Sequence, residues 1–446
     1  MEVLSKISGI LSDKMTYKQL SAIASAIITV ICFFRAYIFT KELLICMTVG
    51  MILLITDIML CSLDDTAQGA AVCIVLVLLN TSGAALSVMN NTNSVKLITI
   101  IIVSVIFAVV FYRILPYIVK FVINSGLGTN ITLYSMIGVT LVVYTVLFFC
   151  KEVNGARAWL FIGGISIQLT EITKMICILA LSIIFASKYL STKCQLIWSL
   201  VFLFINGGFL AVHNELGTAC IMTLVITIIH FLFSNKRRGV IFIVLVILFA
   251  MTAVIVSDIL YPRLEGLDTE NIAVKIVNTI VNKIYTRVHQ SDHYQTDLAA
   301  LGIINGGLFG ASGDYIIDIP VRDSDFAFAN LCQYFGNLSG IIVICCFIFV
   351  IYSLYRYFIQ TERFDYRFHL AGIFIITITI QAIIVIFTNT GLFPVVGIGM
   401  PYVSEGGSQN ILNYIMAVTI VSAFSSHSDE IKPLLKKRTK GKEIFA

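Results

Sequence analysis

Residues 318–330, which read DIPVRDSDFAFAN, place three aspartates and one arginine within eight residues at the edge of a long apolar run. A carboxylate at such a boundary can act as a general base, because partial desolvation raises the pKa of an acid toward neutrality. Asp325 is the strongest candidate, since Phe326 follows it at the start of the apolar run. We expect Asp318 and Asp323 to be solvated. The residues alone also fit a helix N-cap at this place.

Two more acidic residues stand where apolar runs begin. The stretch QLTEITK (168–174) puts Glu171 and Lys174 three residues apart, on one face of a helix. Ionisable residues at such depth are costly and usually pair inside a bundle, so a structural ion pair is the favoured interpretation and a functional site the alternative. In HNELGTA (213–219), Glu215 occupies a tight turn between two apolar runs. An acid there can cap the next helix and meet its positive dipole end, which again favours a structural role.

A third polar stretch, PYVSEGGSQN (401–410), interrupts the chain with one proline and two glycines just before the last apolar run. Irregular backbone near membrane depth is tolerated mainly where it lines a cavity. Such a loop suits the approach of a ligand, although a plain re-entrant turn would have the same composition.

These clusters are carried by a chain that is built mostly of apolar runs. Of its 446 residues, 58% are hydrophobic and 12% are charged, and the mean hydropathy is +0.96. Apolar runs of about 18 or more residues recur, and each can cross about 30 Å of hydrocarbon. The sequence therefore predicts an all-α polytopic membrane protein and excludes a soluble globular domain. We expect twelve spans, near residues 20–39, 42–61, 69–89, 96–119, 131–150, 165–187, 195–213, 215–234, 238–260, 326–356, 369–390 and 408–426.

The basic loops predict the orientation of these spans, since Lys and Arg concentrate on the cytoplasmic side. Four segments are basic, at 187–193, 235–238, 355–367 and 432–442. Placing them inside puts both termini in the cytoplasm. The polar segments 151–159, 261–325 and 390–410 then lie outside.

The longest external loop, 261–325, contains an amphipathic helix. Apolar residues recur at helical spacing between Ile272 and Val288, with polar residues such as Lys283 and Arg287 on the other face. A helix in the membrane interface and a helix that docks a partner are both open interpretations.

The ends of the chain and its cysteines suggest no additional site. The polar start lacks the features of a cleavable signal peptide, so we expect the first apolar run to remain as a membrane helix. The eleven cysteines lie mostly in apolar runs and none has the paired spacing of a zinc site. We interpret them as small hydrophobic residues and predict no metal ligands among them.

Six stretches, taken in order, resemble one family of membrane proteins. They are GARAW (155–159), QLTEITK (168–174), NELGTA (214–219), YQTDLAALGIINGGLFG (294–310), IPVRDSDFAFA (319–329) and PVVGIGMPYVSEGGSQNIL (394–412). Their order and spacing are similar to those of the SEDS family, the RodA/FtsW/SpoVE group of cell-wall glycosyltransferases. The resemblance covers residues 151–426.

The chain departs from the family pattern at several of these positions. Leu169 and Asn214 stand where the family favours proline, and Glu215 replaces an aspartate. Glu405 replaces a tyrosine, and Asp323 replaces a histidine. This is therefore a divergent member.

The resemblance implies a ten-helix core preceded by two additional helices, since five spans instead of three precede the GARAW stretch. We expect an N-terminal helical pair at 1–65, a SEDS-like transmembrane domain at 66–430 with its large external loop at 261–325, and a basic cytoplasmic tail at 431–446.

The resemblance also implies a substrate and roles for residues. The family polymerises lipid II at the outer leaflet, and Asp325 aligns with the family's catalytic aspartate. The resemblance also implies a class B penicillin-binding protein as partner, the bacterial cell membrane as location, and a divalent cation, Mg²⁺ or Mn²⁺, as a possible cofactor.

The guanidinium groups of arginines are well suited to bind the diphosphate oxygens of such a substrate. The substrate-binding candidates are Arg157, Trp159, Arg287, Gln295, Arg322, Ser404, Gly406, Gly407 and Ser408.

Two alternatives to catalysis stay open. The departures at 169, 214, 215 and 405 favour a non-catalytic scaffold or regulator of a cell-wall complex. A flippase for a lipid-linked precursor is the other alternative. The process could be cell division, elongation or sporulation.

Overall fold

The computed structural model describes residues 16–123, 126–153, 155–162, 165–234, 236–264, 272–289, 294–311, 315–360 and 366–424. These residues form helices and one two-stranded hairpin. The helices are α1 (Tyr17–Thr40), α2 (Leu43–Cys61), α3 (Ala67–Met89), α4 (Ser94–Ile123), α5 (Gly126–Leu147), α6 (Leu169–Ala186), α7 (Thr192–Val212), α8 (Leu216–Phe233), α9 (Lys236–Leu264), α10 (Ile272–His289), α11 (Tyr294–Gly306), α12 (Ala327–Phe335), α13 (Asn337–Gln360), α14 (Tyr366–Asn389) and α15 (407–424). The strands are β1 (Trp159–Ile162) and β2 (Ile165–Gln168).

Eleven helices in the described part of the chain, α1 to α9, α13 and α14, are long and apolar enough to cross a membrane. This confirms the predicted all-α polytopic membrane fold, and each of these eleven helices overlaps one of the predicted spans. The twelfth, predicted at 408–426, coincides with α15, which runs to the edge of the described residues. The predicted amphipathic helix is α10, and the predicted tail 431–446 lies outside the described residues.

The chain divides into two compact units. The first comprises residues 1–113, 338–362 and 410–446. In it α3 is buried along most of its length, and α1 and α2 pack against it. Buried hydroxyls recur on α1 at every fourth residue, at Ser21, Ser25 and Thr29. This small polar face lets α1 pack tightly inside the unit, while its other face carries large apolar side chains.

The second unit comprises residues 114–337 and 363–409. Its centre is formed by α6 and α14, which are buried along most of their length and pack against each other. α8 packs against α14 and α7, and α11 packs against α12. All the polar motifs of the sequence except the last residues of the 394–412 stretch lie in this unit.

The span predicted at 326–356 is wrong as a single helix, because the chain breaks at Gly336. Gly336 has a φ of +90°, and a Cβ there would lie 2.2 Å from the Leu308 carbonyl oxygen. Only glycine fits so close to another backbone in this conformation. The first piece, α12, is a short buried helix that follows the 315–326 segment, and α13 alone has the length of a span.

The start of the span predicted at 165–187 is also wrong. Residues 165–168 form β2, which pairs with β1 in an antiparallel hairpin, with Trp159 opposite Gln168. The span itself begins at Leu169. Two short apolar segments around a Gly-Gly pair are a hairpin signal, and this signal was masked by the length of the apolar run that follows.

Candidate functional site

Asp325 lies one residue before the N-cap of the short helix α12. The N-cap residue is Phe326, which is fully buried and whose side chain makes no capping hydrogen bond. Asp325 is therefore not the N-cap, and the capping alternative for this acid is wrong. Asp325 is half-buried. Asp318 and Asp323 are exposed, as we expected of solvated aspartates.

The backbone of Asp325 is held by Asn389, at the end of α14. The Nδ2 atom of Asn389 donates to the Asp325 carbonyl oxygen at 2.8 Å, and its Oδ1 atom accepts from the amide of Ala329 at 2.9 Å. Asn389 is completely buried. One side chain thus fixes both the aspartate and the first turn of α12, because both of its polar groups are used.

The segment 394–406 lies against the same loop. The Ser404 hydroxyl donates to the Ser324 carbonyl oxygen at 2.6 Å and accepts from the amide of Met400 at 2.5 Å. The amide of Glu405 donates to the Asp323 carbonyl oxygen at 2.7 Å. These contacts hold the residues on both sides of Asp325 to one continuous piece of backbone.

The Asp325 carboxylate faces this segment. A Cβ added to Gly397 would lie 3.8 Å from Asp325 Oδ2, and Gly397 has a φ of +70°. Close by, Gly217 in the first turn of α8 leaves room for the Val396 carbonyl oxygen, which would lie 2.2 Å from a Cβ at that position. The segment therefore runs between Asp325 and the start of α8.

Glu171 and Lys174 form the predicted ion pair. Lys174 Nζ lies 2.8 Å from Glu171 Oε1 and 2.7 Å from Oε2, and both side chains are less than a tenth exposed. Lys174 also donates to Gln381 Oε1 at 3.3 Å, and Gln381 Nε2 donates to the Gly399 carbonyl oxygen at 2.7 Å. The pair is thus connected through α14 to the segment that faces Asp325.

Glu215 is the N-cap residue of α8, but its side chain makes no capping hydrogen bond to the backbone. It accepts from the Thr218 hydroxyl at 3.2 Å. Burial is the largest of the effects that together raise the pKa of Glu215 to about 7; Thr218 and Lys283 oppose it, and the Glu171 and Asp325 carboxylates add to it. Glu215 therefore belongs to the same electrostatic cluster as Asp325.

Lys283 brings a positive charge to this cluster from α10. Its Nζ atom donates to the Asn214 carbonyl oxygen at 2.7 Å, in the turn that precedes α8. Val281 on the same helix is buried. The sequence had indicated only that Lys283 belongs to the polar face of an amphipathic helix; the structure adds that this face meets the α7–α8 turn.

The GARAW stretch is held by Leu169 and Asn214, the positions where the resemblance led us to expect proline. The amide of Leu169 donates to the Ala158 carbonyl oxygen at 2.8 Å. Asn214 has a φ of +68°, and its Nδ2 atom donates to the Gly155 carbonyl oxygen. Proline has no amide hydrogen and cannot adopt a positive φ, so neither arrangement could form with proline. The amide of Arg157 also donates to the His213 carbonyl oxygen at 3.0 Å.

The other substrate-binding candidates are more scattered. The Arg157 guanidinium is exposed and lies 3.8 Å from Glu152, and Arg322 lies 3.2 Å from Asp318. Such surface ion pairs are weak, so both arginines could turn toward an anionic ligand. Arg287 lies in the last turn of α10, where its side chain is outside the described residues.

The five remaining candidates are only partly accessible. Trp159 and Gln295 are half-buried, as are Gly406 and Gly407 at the start of α15. The Ser408 hydroxyl accepts from the amide of Gln168 at 2.9 Å. This bond connects the β1–β2 hairpin to the residues that directly follow the 394–406 segment.

Sequence reasoning did not identify Asn389 and Gln381, which position the residues around Asp325. A signal existed for both, since each is a polar amide inside or at the end of a long apolar run, where a polar side chain requires a partner. Lys283 had no comparable signal, because a lysine on an amphipathic helix is ordinarily solvated.

The described residues do not fit a bound metal well. Among them, no group of three or more His, Cys, Asp or Glu side chains is arranged to hold a metal ion.

The chain belongs to the FtsW/RodA/SpoVE family of cell cycle proteins, whose sequence profile matches residues 72–430. This confirms the predicted family, and the match begins within α3. The chain is 27% identical over 312 residues to the probable peptidoglycan glycosyltransferase FtsW of Bacillus subtilis, covering 67% of this chain and 76% of that protein. It is 28% identical over 287 residues to stage V sporulation protein E of the same organism, covering 62% and 73%.

Two solved structures share the fold. One, from a study of polymerization and crosslinking by a peptidoglycan synthase complex, has a TM-score of 0.56 at 19% identity and covers 80% of this chain and 97% of that chain. The rod shape determining protein RodA of Thermus thermophilus has a TM-score of 0.50 at 17% identity and covers 80% and 96%. The polytopic helical fold is thus that of known family members.

The Glu215 carboxyl makes a testable contribution to the pH dependence of stability. The folded protein keeps a proton on Glu215 up to about pH 7, whereas the unfolded chain releases it near pH 4.5. The folded state binds more protons in this window, so stability falls as pH rises through it, by roughly 1–3 kcal/mol. We expect the thermal unfolding midpoint in detergent to fall less steeply with pH in Glu215→Gln. Glu152→Gln, at an exposed acid, is the control and should keep the wild-type slope; a parallel slope in Glu215→Gln would contradict the assignment.

Proposed function

We propose that the protein is a peptidoglycan glycosyltransferase that polymerises lipid II into glycan strands at the outer leaflet of the bacterial cell membrane. Asp325 is its general base. The observation that carries the proposal is the position of Asp325, which is half-buried before α12 with its carboxylate facing the backbone of Gly397. The names of the relatives, probable peptidoglycan glycosyltransferases among them, support the reaction class.

The chemistry requires a base beside the attacking sugar hydroxyl and positive charge beside the leaving diphosphate. Asp325 takes the proton of the hydroxyl of one lipid II while this oxygen attacks the anomeric carbon of another. The bond from that carbon to the diphosphate breaks, with inversion at the carbon. A fixed carboxylate suits the first task, because Asn389 and Ser404 hold its loop in place before substrate binds.

The positive charge comes from the external loops. Lys283 interacts electrostatically with Glu215, and the guanidiniums of Arg157 and Arg322 are engaged in surface ion pairs. A guanidinium can leave such a pair at little cost and bind diphosphate oxygens in a fork. We propose Arg287 on α10 as a further contact. A Mg²⁺ or Mn²⁺ ion, if used, would be bound together with the diphosphate.

The partner in this proposal is a class B penicillin-binding protein, which crosslinks the new strands. A chain of the same fold was solved in a peptidoglycan synthase complex, which supports such a pairing. Both termini are cytoplasmic in this arrangement, so that the 151–159, 261–325 and 390–410 segments meet lipid II outside. The reaction serves cell division, elongation or sporulation.

The test is a polymerisation assay with the purified full chain. The protein and its candidate partner are reconstituted with labelled lipid II, and the transpeptidase is blocked with a β-lactam so that strands stay uncrosslinked. We expect glycan strands with both proteins present and none with the partner alone.

Two outcomes would replace the proposal. If no polymer forms although the two proteins still purify as a stable complex, the scaffold would replace the proposal. Movement of labelled lipid II across vesicles without polymer would establish the flippase.

A further inference from the structure

Two cysteines meet in the first unit, on helices that are neighbours in sequence. Cys61 is the last residue of α2, and Cys73 lies two turns into α3. Their Sγ atoms are 3.4 Å apart, and the two side chains are 2% and 1% exposed. The described residues include nine other cysteines, all present as free thiols. Among these, Cys345 and Cys346 are neighbours in the chain.

Cys61 also has a polar neighbour on α1. The Ser25 hydroxyl of α1 lies 3.3 Å from Cys61 Sγ and can donate to a thiolate formed there. The adjoining turn 62–66 is partly exposed, at Ser62 and Asp65. We take this turn as the route by which a small oxidant would reach the pair.

We propose that Cys61 and Cys73 form a dithiol that is reversibly oxidised to a disulfide joining α2 to α3. The oxidant is a small peroxide, which accepts two electrons from the two thiols. The Cys61 thiolate attacks a peroxide oxygen, forms a sulfenic acid and releases water. The Cys73 thiol then attacks Cys61 Sγ and expels a second water, so that two thiols and one hydrogen peroxide give one disulfide and two waters. The sulfurs must approach to about 2.0 Å, which side-chain rotation can provide from their present separation.

The proposed disulfide lies at the boundary of the region that this chain shares with its family. The family match begins at residue 72, so Cys61 precedes the shared region and Cys73 lies inside it. The disulfide would add a second covalent link between the end of α2 and the start of the shared region, beside the turn that already connects them. The inference is independent of the proposed catalytic activity.

The full chain in detergent is treated with hydrogen peroxide, then denatured in the presence of N-ethylmaleimide so that buried thiols are alkylated too, and digested without reductant. We expect a crosslinked Cys61–Cys73 peptide that dithiothreitol separates, at a peroxide dose that oxidises about half of the exposed Cys194. Cys177, which is buried in α6, is the internal control and should stay alkylated.

Two variants and one direct measurement complete the test. Cys73→Ser should leave Cys61 as a sulfenic acid that a dimedone probe labels, and Ser25→Ala should slow disulfide formation several-fold. The oxidised wild type should unfold at a higher temperature than the reduced wild type, and this difference needs no variant to fold. Alkylation of both cysteines in wild type at the dose that oxidises Cys194 would overturn the proposal.

Discussion

Asp325→Asn is expected to lower the rate of glycan polymerisation by about 100-fold or more, which is the usual contribution of a positioned general base. Asparagine keeps the size of the side chain and the backbone hydrogen bond from Asn389, which uses the carbonyl oxygen of residue 325. The loop should therefore keep its shape, and the loss should be in the rate of the chemical step. The measurement is the initial rate of strand formation from labelled lipid II, with the thermal unfolding midpoint as a check on folding.

Asp323→Asn is the matched control. Asp323 lies two residues away on the same loop and is exposed, and its backbone carbonyl, which accepts from Glu405, is unaffected by the substitution. We expect this variant to polymerise within about a factor of five of wild type, since a solvated carboxylate is a weak catalyst. Equal rates for Asp325→Asn and wild type would contradict the role of Asp325. A large loss only in Asp323→Asn would transfer the role to that residue.

The membrane fold could be predicted from the sequence because its signal is local. Each span is recognised from about twenty neighbouring residues, and α1 even carries its own start signal, a capping box between Thr16 and Gln19. The break at Gly336 was not local. The break depends on the carbonyl oxygen of Leu308, which is far away in sequence. The apolar run that begins at Phe326 therefore does not indicate the break.

The same distinction applies to the candidate site. Asp325 was found from its place at the edge of an apolar run, and the Glu171–Lys174 pair from its spacing within one helix. The groups that position them were not found, because Asn389 reaches Asp325 across 64 residues and Gln381 reaches Lys174 across 207. Such pairings are decided by how the helices pack, which one sequence does not contain.

Lys174→Met is expected to destabilise the protein by about 3–5 kcal/mol, since it leaves the Glu171 carboxylate buried without its counter-charge. Lys174 is 2% exposed and contacts both carboxylate oxygens of Glu171. Methionine replaces most of the volume of the lysine, so the loss measures charge and hydrogen bonding and not a cavity. The measurement is the thermal unfolding midpoint in detergent, together with the yield of folded protein from membranes.

The double variant Glu171→Gln/Lys174→Met separates the structural role of this pair from a functional one. Replacing both charges removes the unpaired group, so we expect most of the lost stability to return, because a buried ion pair contributes little against uncharged residues of similar shape. Polymerisation should stay several-fold below wild type, because Gln381 loses its lysine partner and with it part of the support for Gly399, in the segment that faces Asp325. Full recovery of both stability and activity would mean that the pair serves the fold alone, whereas a double variant as unstable as Lys174→Met would contradict the ion-pair explanation itself.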